Sequence, residues 1–254
     1  MLKRRIIPLQ LLLDGRLVKS VQFDSFRDVG NPVSSARVYN AQYADELILL
    51  GISRTERVVA PLTHVLERVS EVCFMPLTVG GGIDSVADAA LLIRSGADKV
   101  LVNSAAYRRP ALIAELAREL GSQAVVVGID AQLDPATDTY ALRSDCGRTA
   151  EPVRLEEHVA RSIDAGAGEI MVTSIDRDGT MRGLDLDLVS RVTALSSAPV
   201  IAAGGVGHYD HLKDAFLQTN VAAVACGSLF NFTDSNPMRA RAYLTNYGVP
   251  CKVV

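Results

Sequence analysis

Apolar and polar positions follow two alternating patterns along the whole chain. Short, largely apolar runs predict buried strands, and between them apolar residues recur at helical spacing and predict amphipathic helices. The predicted strands span residues 5–11, 46–52, 75–79, 99–102, 124–129, 169–173, 200–203 and 222–226. The predicted helices span residues 59–73, 86–95, 111–120, 155–165, 186–195 and 211–218.

Eight strands that alternate with helices favour a parallel sheet. At about 250 residues, closure of that sheet into an α/β (β/α)8 TIM barrel is the leading topology, with an open doubly wound sheet as the alternative. The polar, turn-rich segment 131–149 interrupts the pattern, and we interpret it as an extended excursion between a strand and its helix.

Three pairs of segments repeat at nearly half the chain length. Residues 76–83 resemble 199–206, residues 45–54 resemble 168–177, and residues 100–104 resemble 224–228. All three pairs share an offset of 123 or 124 residues, which predicts an internal duplication. We therefore interpret residues 1–254 as one barrel domain built from two (βα)4 halves, approximately 1–122 and 123–254.

Composition narrows the class of protein. The chain of 254 residues is 48% hydrophobic and 22% charged, enough to bury a sizeable core, and its net charge of -3 gives no reason to expect nucleic acid. No apolar run approaches the roughly 20 residues of a membrane span.

The basic N-terminus precedes an apolar stretch, but Pro8, Gln10 and Asp14 interrupt it, so we predict a strand rather than a signal peptide. The four cysteines form no CxxC pair, which indicates reduced thiols and a cytoplasmic protein.

Glycine clusters follow corresponding strands in the two halves. The first half offers Gly81 and Gly82, and the second offers Gly204 and Gly205, each before a predicted helix. Glycines let the backbone approach a ligand closely, and a helix N-terminus presents unpaired N–H groups to an anion. The next strands end at Asn103-Ser104 and Gly227-Ser228. These pairs predict two phosphate sites on opposite sides of the mouth; the alternative is that the glycines only make tight turns.

Carboxylates at the ends of strands are the candidates for proton transfer. Asp130 ends an apolar strand, and Asp176 and Asp178 lie in a loop after another. Partial burial raises the pKa of such a group toward neutrality, which suits a general acid or base. Asp176 has the alternative of pairing with Arg177 or capping a helix. The four histidines show no ligand spacing, so no metal site is expected, and no GxGxxG motif indicates a dinucleotide cofactor.

Together these segments resemble the cyclase subunit of imidazole glycerol phosphate synthase along essentially the whole chain. The matching stretches are residues 5–8 (RIIP), 14–16 (DGR), 18–19 (VK), 44–47 (ADEL), 76–83 (PLTVGGGI), 96–100 (GADKV), 103–106 (NSAA), 121–123 (GSQ), 166–170 (GAGEI) and 173–180 (TSIDRDGT). The resemblance implies a half-barrel duplication and a heterodimer with a glutaminase subunit docked at the N-terminal face. That glutaminase delivers ammonia through the barrel to a phosphorylated small-molecule substrate, without a cofactor.

The resemblance also implies roles for particular residues. A ring of two basic and two acidic side chains forms the family's ammonia entrance, and here it is matched by Arg5, Glu46, Lys99 and Glu169. Asp98 matches a residue that helps to dock the glutaminase. Lys19 matches a residue of the substrate loop, and Asp130 and Asp178 match catalytic acids.

Three positions depart from the family pattern. Leu11 stands where the family has a catalytic aspartate at the end of the first strand. Gly51 stands where it has a second aspartate, and Ala203 replaces a phosphate-site serine. A leucine cannot transfer protons, and loss of one general acid costs about a hundred- to ten-thousand-fold in rate.

Several interpretations follow from these departures. We favour a divergent paralogue that keeps the glutaminase dock and ammonia port, and supplies ammonia to a sugar amidotransferase that makes amidino sugars for surface polysaccharide. The alternatives are an ordinary histidine-biosynthesis cyclase in which Asp178 or water replaces the missing acid, and a non-catalytic scaffold that activates the glutaminase. An isomerase of the related half-barrel family matches less closely.

Overall fold

The computed structural model describes residues 3–53 and 58–252. Arg54, which ends one of the repeated segments, lies outside these ranges. The strands are β1 (Arg5–Leu13), β2 (Arg16–Val21), β3 (Asp24–Gly30), β4 (Leu47–Gly51), β5 (Leu77–Gly80), β6 (Lys99–Val102), β7 (Val125–Asp134), β8 (Thr139–Ser144), β9 (Thr149–Glu151), β10 (Glu169–Ser174), β11 (Val200–Ala203) and β12 (Ala223–Cys226). The helices are α1 (Pro32–Ala41), α2 (Ala60–Ser70), α3 (Val86–Arg94), α4 (Ser104–Arg108), α5 (Ala111–Leu120), α6 (Leu155–Asp164), α7 (Leu186–Leu195), α8 (Tyr209–Gln218), α9 (Ser228–Phe232) and α10 (Pro237–Asn246).

Eight of the described strands form a closed parallel barrel. Their order is β1, β4, β5, β6, β7, β10, β11 and β12, and β12 pairs with β1 to complete the circle. Helices connect the strands on the outside, so the fold is the predicted (β/α)8 barrel. Four barrel strands come from each proposed half of the chain, but the duplication itself stays a prediction.

Two hairpins extend the barrel at its mouth. Strand β1 turns at Asp14-Gly15 into β2, and both turn residues have positive φ, as a two-residue hairpin turn requires. Strand β3 then pairs with β2. The second hairpin occupies the segment 131–149, where β7 continues past the barrel and pairs with β8, and β8 with β9. This confirms the predicted excursion. The first hairpin was not predicted.

Strand alternation divides the core into two parts. Outward-facing residues of the strands pack against the helices and form the larger hydrophobic cluster. Inward-facing residues form a separate cluster that fills the barrel interior. Because parallel barrel strands are covered on both sides, they appear in the sequence as continuous apolar runs.

The predicted elements differ from the observed ones mainly at their ends. Strands 99–102 and 200–203 and helices 111–120 and 186–195 have the predicted bounds. The predicted strand 124–129 continues to Asp134, and the predicted helix 59–73 ends at Ser70. Helices α1 and α10, which carry weakly amphipathic sequences, were not predicted.

A buried ion pair attaches the last long helix to the barrel. Arg241 of α10 donates to the carboxylate of Asp45 at 3.0 Å and to the carbonyl oxygen of Tyr43 at 2.6 Å. Asp45 also accepts a hydrogen bond from the backbone of Ile6 in β1. The two charged side chains are 8% and 5% exposed, so each depends on the other for compensation of its charge.

We predict that Arg241→Ala destabilises the fold by about 3 kcal/mol, because it leaves the buried carboxylate of Asp45 without its cation. Denaturant unfolding measures this free energy. Arg239→Ala on the same helix removes an exposed guanidinium and should change stability by less than about 0.5 kcal/mol. Equal losses in the two variants would contradict the role given to the pair.

Candidate functional site

Four charged side chains close the N-terminal end of the barrel. Arg5 lies 2.8 Å from Glu46 and 2.6 Å from Glu169, and Lys99 lies 2.8 Å and 3.0 Å from the same two carboxylates. These four residues, called the ion ring below, alternate in charge, so every side chain contacts two of opposite sign. Thr78 completes the coordination by donating to Glu46 at 2.8 Å.

The ion ring forms because strand alternation points all four side chains inward. Each lies at the N-terminal start of a barrel strand or, for Glu46, next to it. Glu46 is 2% exposed, which is tolerable for a carboxylate only because two cations and a hydroxyl contact it. The structure thus brings together the four residues predicted as the ammonia entrance; their role as a gate stays a prediction.

Above the ion ring, the barrel interior is apolar. The residues that line it are Ile7, Leu9, Ile48, Leu101, Val126, Met171, Ile201, Ala203, Ala223 and Ala225. An ammonium ion loses far more hydration free energy in such surroundings than neutral ammonia does, because burial of an unpaired charge costs much more than burial of a neutral polar group. An apolar interior beneath a polar mouth therefore favours passage of a small neutral molecule over an ion.

Asp130 lies at the mouth, at the inward-facing end of the barrel part of β7. Its carboxylate accepts a hydrogen bond from the side-chain amide of Asn103 at 2.8 Å, and Thr173 on β10 also bonds to it. Burial raises its pKa to about 7, and the nearby charge of Asp178 acts in the same direction. A carboxyl group that titrates near neutrality is suited to general acid or base chemistry.

Asp178 and Lys19 form the second group of ionisable side chains at the mouth. Asp178 accepts a hydrogen bond from the hydroxyl of Ser20 at 2.7 Å, and burial raises its pKa. Lys19 is buried and donates to the carbonyl oxygen of Leu9, and burial lowers its pKa to about 8 despite the attraction of Asp178. Strand β2 of the first hairpin places Lys19 there.

Leu11 borders both pockets at the mouth and carries no ionisable atom. It lines the mouth with Leu9 and Leu50, and it also borders the smaller pocket that contains Lys19 and Asp178. Its register partner on β4 is Leu50, and Gly51 follows. The mouth is therefore apolar where Leu9, Leu11 and Leu50 line it.

The glycine clusters lie at the mouth, as the sequence predicts. Gly81, Gly82, Asn103 and Ser104 line the large pocket, whereas Gly204, Gly205, Gly227 and Ser228 line the smaller one. A methyl group on Gly81 would collide with the carbonyl oxygen of Gly51, and one on Gly205 with that of Gly183. Close packing of neighbouring loops therefore requires these two glycines, and phosphate binding by them stays a prediction.

Asp176 has a structural role instead of a place in the mouth. Its carboxylate accepts the backbone N–H of Leu133 at 2.8 Å and so joins the loop after β10 to β7. This contact is neither of the two structural alternatives predicted for Asp176, a pair with Arg177 or a helix cap.

Several mouth residues were missed in the sequence. Ser20, Phe23 and Phe26 reach the mouth on the hairpin of β2 and β3. The dipeptide Asp14-Gly15 between apolar runs is a hairpin signal that could have placed them. Asp145, Cys146 and Arg148 come from the turn between β8 and β9, which folds back over the mouth. No local sequence pattern predicts that this turn folds back toward the mouth.

The N-terminal face carries the predicted docking residue. Asp98 is exposed beside Lys99 of the ion ring, and one of its carboxylate oxygens accepts the backbone N–H of Leu77. Two large aromatic side chains on loops of the same face are exposed: Phe74 by 83% and Tyr43 by 57%. Exposed apolar groups of this size are typical of protein interfaces.

The described residues contain no group of three or more His, Cys, Asp or Glu side chains arranged to hold a metal ion. Within residues 3–53 and 58–252, no helix is long and apolar enough to cross a membrane.

His158 is buried and stacked on Tyr107, with ring centroids 4.1 Å apart, and burial lowers its pKa to about 4.

Comparison with known proteins gives consistent matches over the chain. The profile of a family described as "Histidine biosynthesis protein" matches residues 5–235. A curated relative named imidazole glycerol phosphate synthase subunit HisF, from Hyphomonas neptunium, is 43% identical over 254 residues, which cover all of both chains. A relative of the same name from Staphylococcus carnosus is 40% identical over 249 residues, or 98% of each chain.

The raised pKa of Asp130 predicts a pH-dependent effect of Asp130→Asn on stability. Between about pH 4 and pH 7 the folded chain holds a proton at Asp130 that the unfolded chain has released, so this group makes the fold less stable as pH rises through that window. Asparagine does not titrate, so the stability of the variant does not fall for this reason. Relative to the unaltered chain it should gain on the order of 2–4 kcal/mol from pH 4 to pH 7, less where water in the mouth screens the charge.

Denaturant unfolding at a series of pH values from 4 to 8 measures the difference. Asp138→Asn serves as the control, because this side chain is 84% exposed on the turn between β7 and β8. A difference between the Asp130→Asn variant and the unaltered chain that stays constant over the whole series would contradict the prediction.

Proposed function

This chain belongs to the histidine biosynthesis protein family, as a homologue of the cyclase subunit of imidazole glycerol phosphate synthase, and on that premise we propose that it conducts ammonia from a glutaminase to its mouth. The observation that carries the proposal is the succession of the ion ring, the apolar interior and the mouth along the barrel axis. The glutaminase docks on the N-terminal face, around Asp98 and the exposed Phe74 and Tyr43.

The ion ring supports selective entry. Four mutually paired charges exclude bulk water and cations, because separating any of them from its partners without new contacts is costly. Movement of one side chain, such as the more exposed Arg5 or Lys99, opens a gap while the two carboxylates keep the other cation. A neutral molecule the size of ammonia then enters the apolar interior.

At the mouth, the ligand is a phosphorylated small molecule held by the two glycine-containing half-sites. The first half-site comprises Gly81, Gly82, Asn103 and Ser104, and the second comprises Gly204, Gly205, Gly227 and Ser228. Lys19 supports the second half-site, because its amine lies where a methyl group on Gly227 would be only 2.7 Å away. Asp130 and Asp178 supply the remaining proton-transfer groups.

Leu11 supports a specialised paralogue rather than an efficient cyclase. The position that the family resemblance assigns to an acid is apolar here, and neighbouring Leu50 and Gly51 supply no substitute. In this proposal the delivered ammonia serves a sugar amidotransferase that makes amidino sugars for surface polysaccharide.

A genuine cyclase is the second candidate, and two observations favour it. The chain is 40–43% identical to curated HisF subunits over nearly its whole length. Asp130 retains a pKa near neutrality, and Asp178 and Lys19 lie in the pocket that Leu11 borders. If the chain is a cyclase, Asp178 and Lys19 perform the proton transfer that Leu11 cannot.

An activity assay with free ammonium separates the two candidates. The purified chain, supplied with the ribonucleotide intermediate of the cyclase and ammonium, should show turnover near background, because a general acid is missing. Leu11→Asp should raise turnover by about a hundredfold or more. Leu50→Asp is the matched control, since it adds a carboxylate at the paired position of β4 and should give no such gain. Brisk turnover by the unaltered chain would favour the genuine cyclase.

Filling the barrel interior tests conduction itself. Ala223→Leu adds three carbons to the apolar interior next to the ion ring, because Ala223 pairs in register with Arg5. We expect transfer of glutamine nitrogen to the acceptor to fall at least about tenfold, while transfer from free ammonium added at the mouth persists. Overpacking costs about 1–3 kcal/mol, so thermal unfolding must confirm that the variant is folded.

The matched control for the conduction test is Ala222→Leu. Ala222 directly precedes β12 but lies outside the apolar interior, so glutamine-dependent transfer should be unchanged. If Ala223→Leu lowers the two kinds of transfer equally, or neither of them, ammonia does not travel through the barrel.

A further inference from the structure

The two half-sites at the mouth differ in their positive charge. In the second, the amine of Lys19 is buried beside Gly227 and Ser228. Among the described residues that line the large pocket there is no lysine, but there are two arginines, Arg108 of α4 and Arg148 of the turn between β8 and β9. A phosphate group that leaves bulk water needs compensation of its charge wherever it binds, so the first half-site requires a cation of its own.

Arg108 is placed to supply that charge. It ends α4, the short helix that begins at Ser104 directly after Asn103, and it lines the large pocket with Gly81 and Gly82. Its guanidinium lies 2.5 Å from a carboxylate oxygen of Asp84, in the loop that follows the glycines, and 3.7 Å from Asp145 in the turn between β8 and β9. Two loops therefore fix the guanidinium at the rim of the first half-site.

The predicted duplication allows the two halves of the chain to be compared position by position. Helix α9 (Ser228–Phe232) corresponds to α4 (Ser104–Arg108) at the repeat offset of 124 residues, so Phe232 stands where Arg108 would be expected. The ring of Phe232 instead packs under the guanidinium of Arg27, 5.3 Å from its centroid. The hairpin of β2 and β3 thus provides Lys19 to the second half-site, and α4 provides Arg108 to the first.

We propose that Arg108 binds the phosphate group of the ligand in the first half-site and discriminates phosphorylated from unphosphorylated ligands there. The proposal rests on the proposed function, in which this half-site holds a phosphate. Asn103 and Ser104 contribute neutral donors, and the backbone N–H of Asp145, which donates to the Ser104 hydroxyl oxygen at 3.0 Å, leaves the hydroxyl hydrogen to point elsewhere. Arg108 contributes the charge and a guanidinium with five N–H donors.

Inorganic phosphate is the probe that tests the proposal. Nuclear magnetic resonance of the 15N-labelled chain reports on each half-site separately, through the amides of Gly82 and Ser104 for the first and of Gly205 and Ser228 for the second. For Arg108→Gln we expect phosphate affinity at the first half-site to fall about 10- to 100-fold at fixed ionic strength, with the second within about twofold. Arg108→Lys should fall between Arg108→Gln and the unaltered chain.

Arg109→Gln is the matched control. It is the next residue in the chain and also an arginine, but its guanidinium lies 2.5 Å from Glu115 and it does not line the mouth. Affinity at the two half-sites should not change in this variant. A fall equal to that of Arg108→Gln would show a general effect of surface charge and would overturn the proposal.

A double variant distinguishes direct binding from screening of Asp84. If Arg108 contacts phosphate, Arg108→Gln should lower affinity at the first half-site as strongly in an Asp84→Asn background as in the unaltered chain. If Arg108 only neutralises Asp84, the loss should vanish in that background, and the proposal is wrong. It is equally wrong if the unaltered chain binds no phosphate at the first half-site, a result that leaves ammonia conduction through the barrel unaffected.

Discussion

The ion ring at the foot of the barrel is the constraint on which the rest of the structure depends. Two carboxylates and two cations lie together at the N-terminal end of the barrel, and neither pair is stable there without the other. Three of the side chains come from the first residues of β1, β6 and β10 and the fourth from the residue before β4, so the ring exists only when the barrel has closed in the correct register. A shift of one residue in any of these strands would turn the charge outward and an apolar side chain inward.

Along the barrel axis, polarity changes in a simple order. Charges at the N-terminal end give way to an interior of aliphatic side chains, and ionisable groups return only at the mouth. The ring and the mouth are built from different residues, so either end can change without rebuilding the other. The specialisation proposed for Leu11 is a change of that kind.

The sequence predicted the barrel well because its signals are local. Buried parallel strands form continuous apolar runs, and the ends of 99–102 and 200–203 are marked by a charged residue or proline before them and a polar residue or glycine after them. The site was harder to predict, because Lys19 and the turn at 145–148 reach the mouth through hairpins that fold back on the barrel. The charge of Arg108 was overlooked for a related reason: its neighbours Asp84 and Asp145 come from two other loops.

The close approach of Gly81 to Gly51 and of Gly205 to Gly183 has an evolutionary consequence. The rim of the mouth is held by main chain against main chain, so its outline does not depend on which side chains project into it. Residues that face the opening are therefore free to diverge after gene duplication while the scaffold persists. A barrel of this construction acquires new chemistry by exchanging single inward side chains, and an inherited shape is compatible with a reaction that its ancestor did not perform.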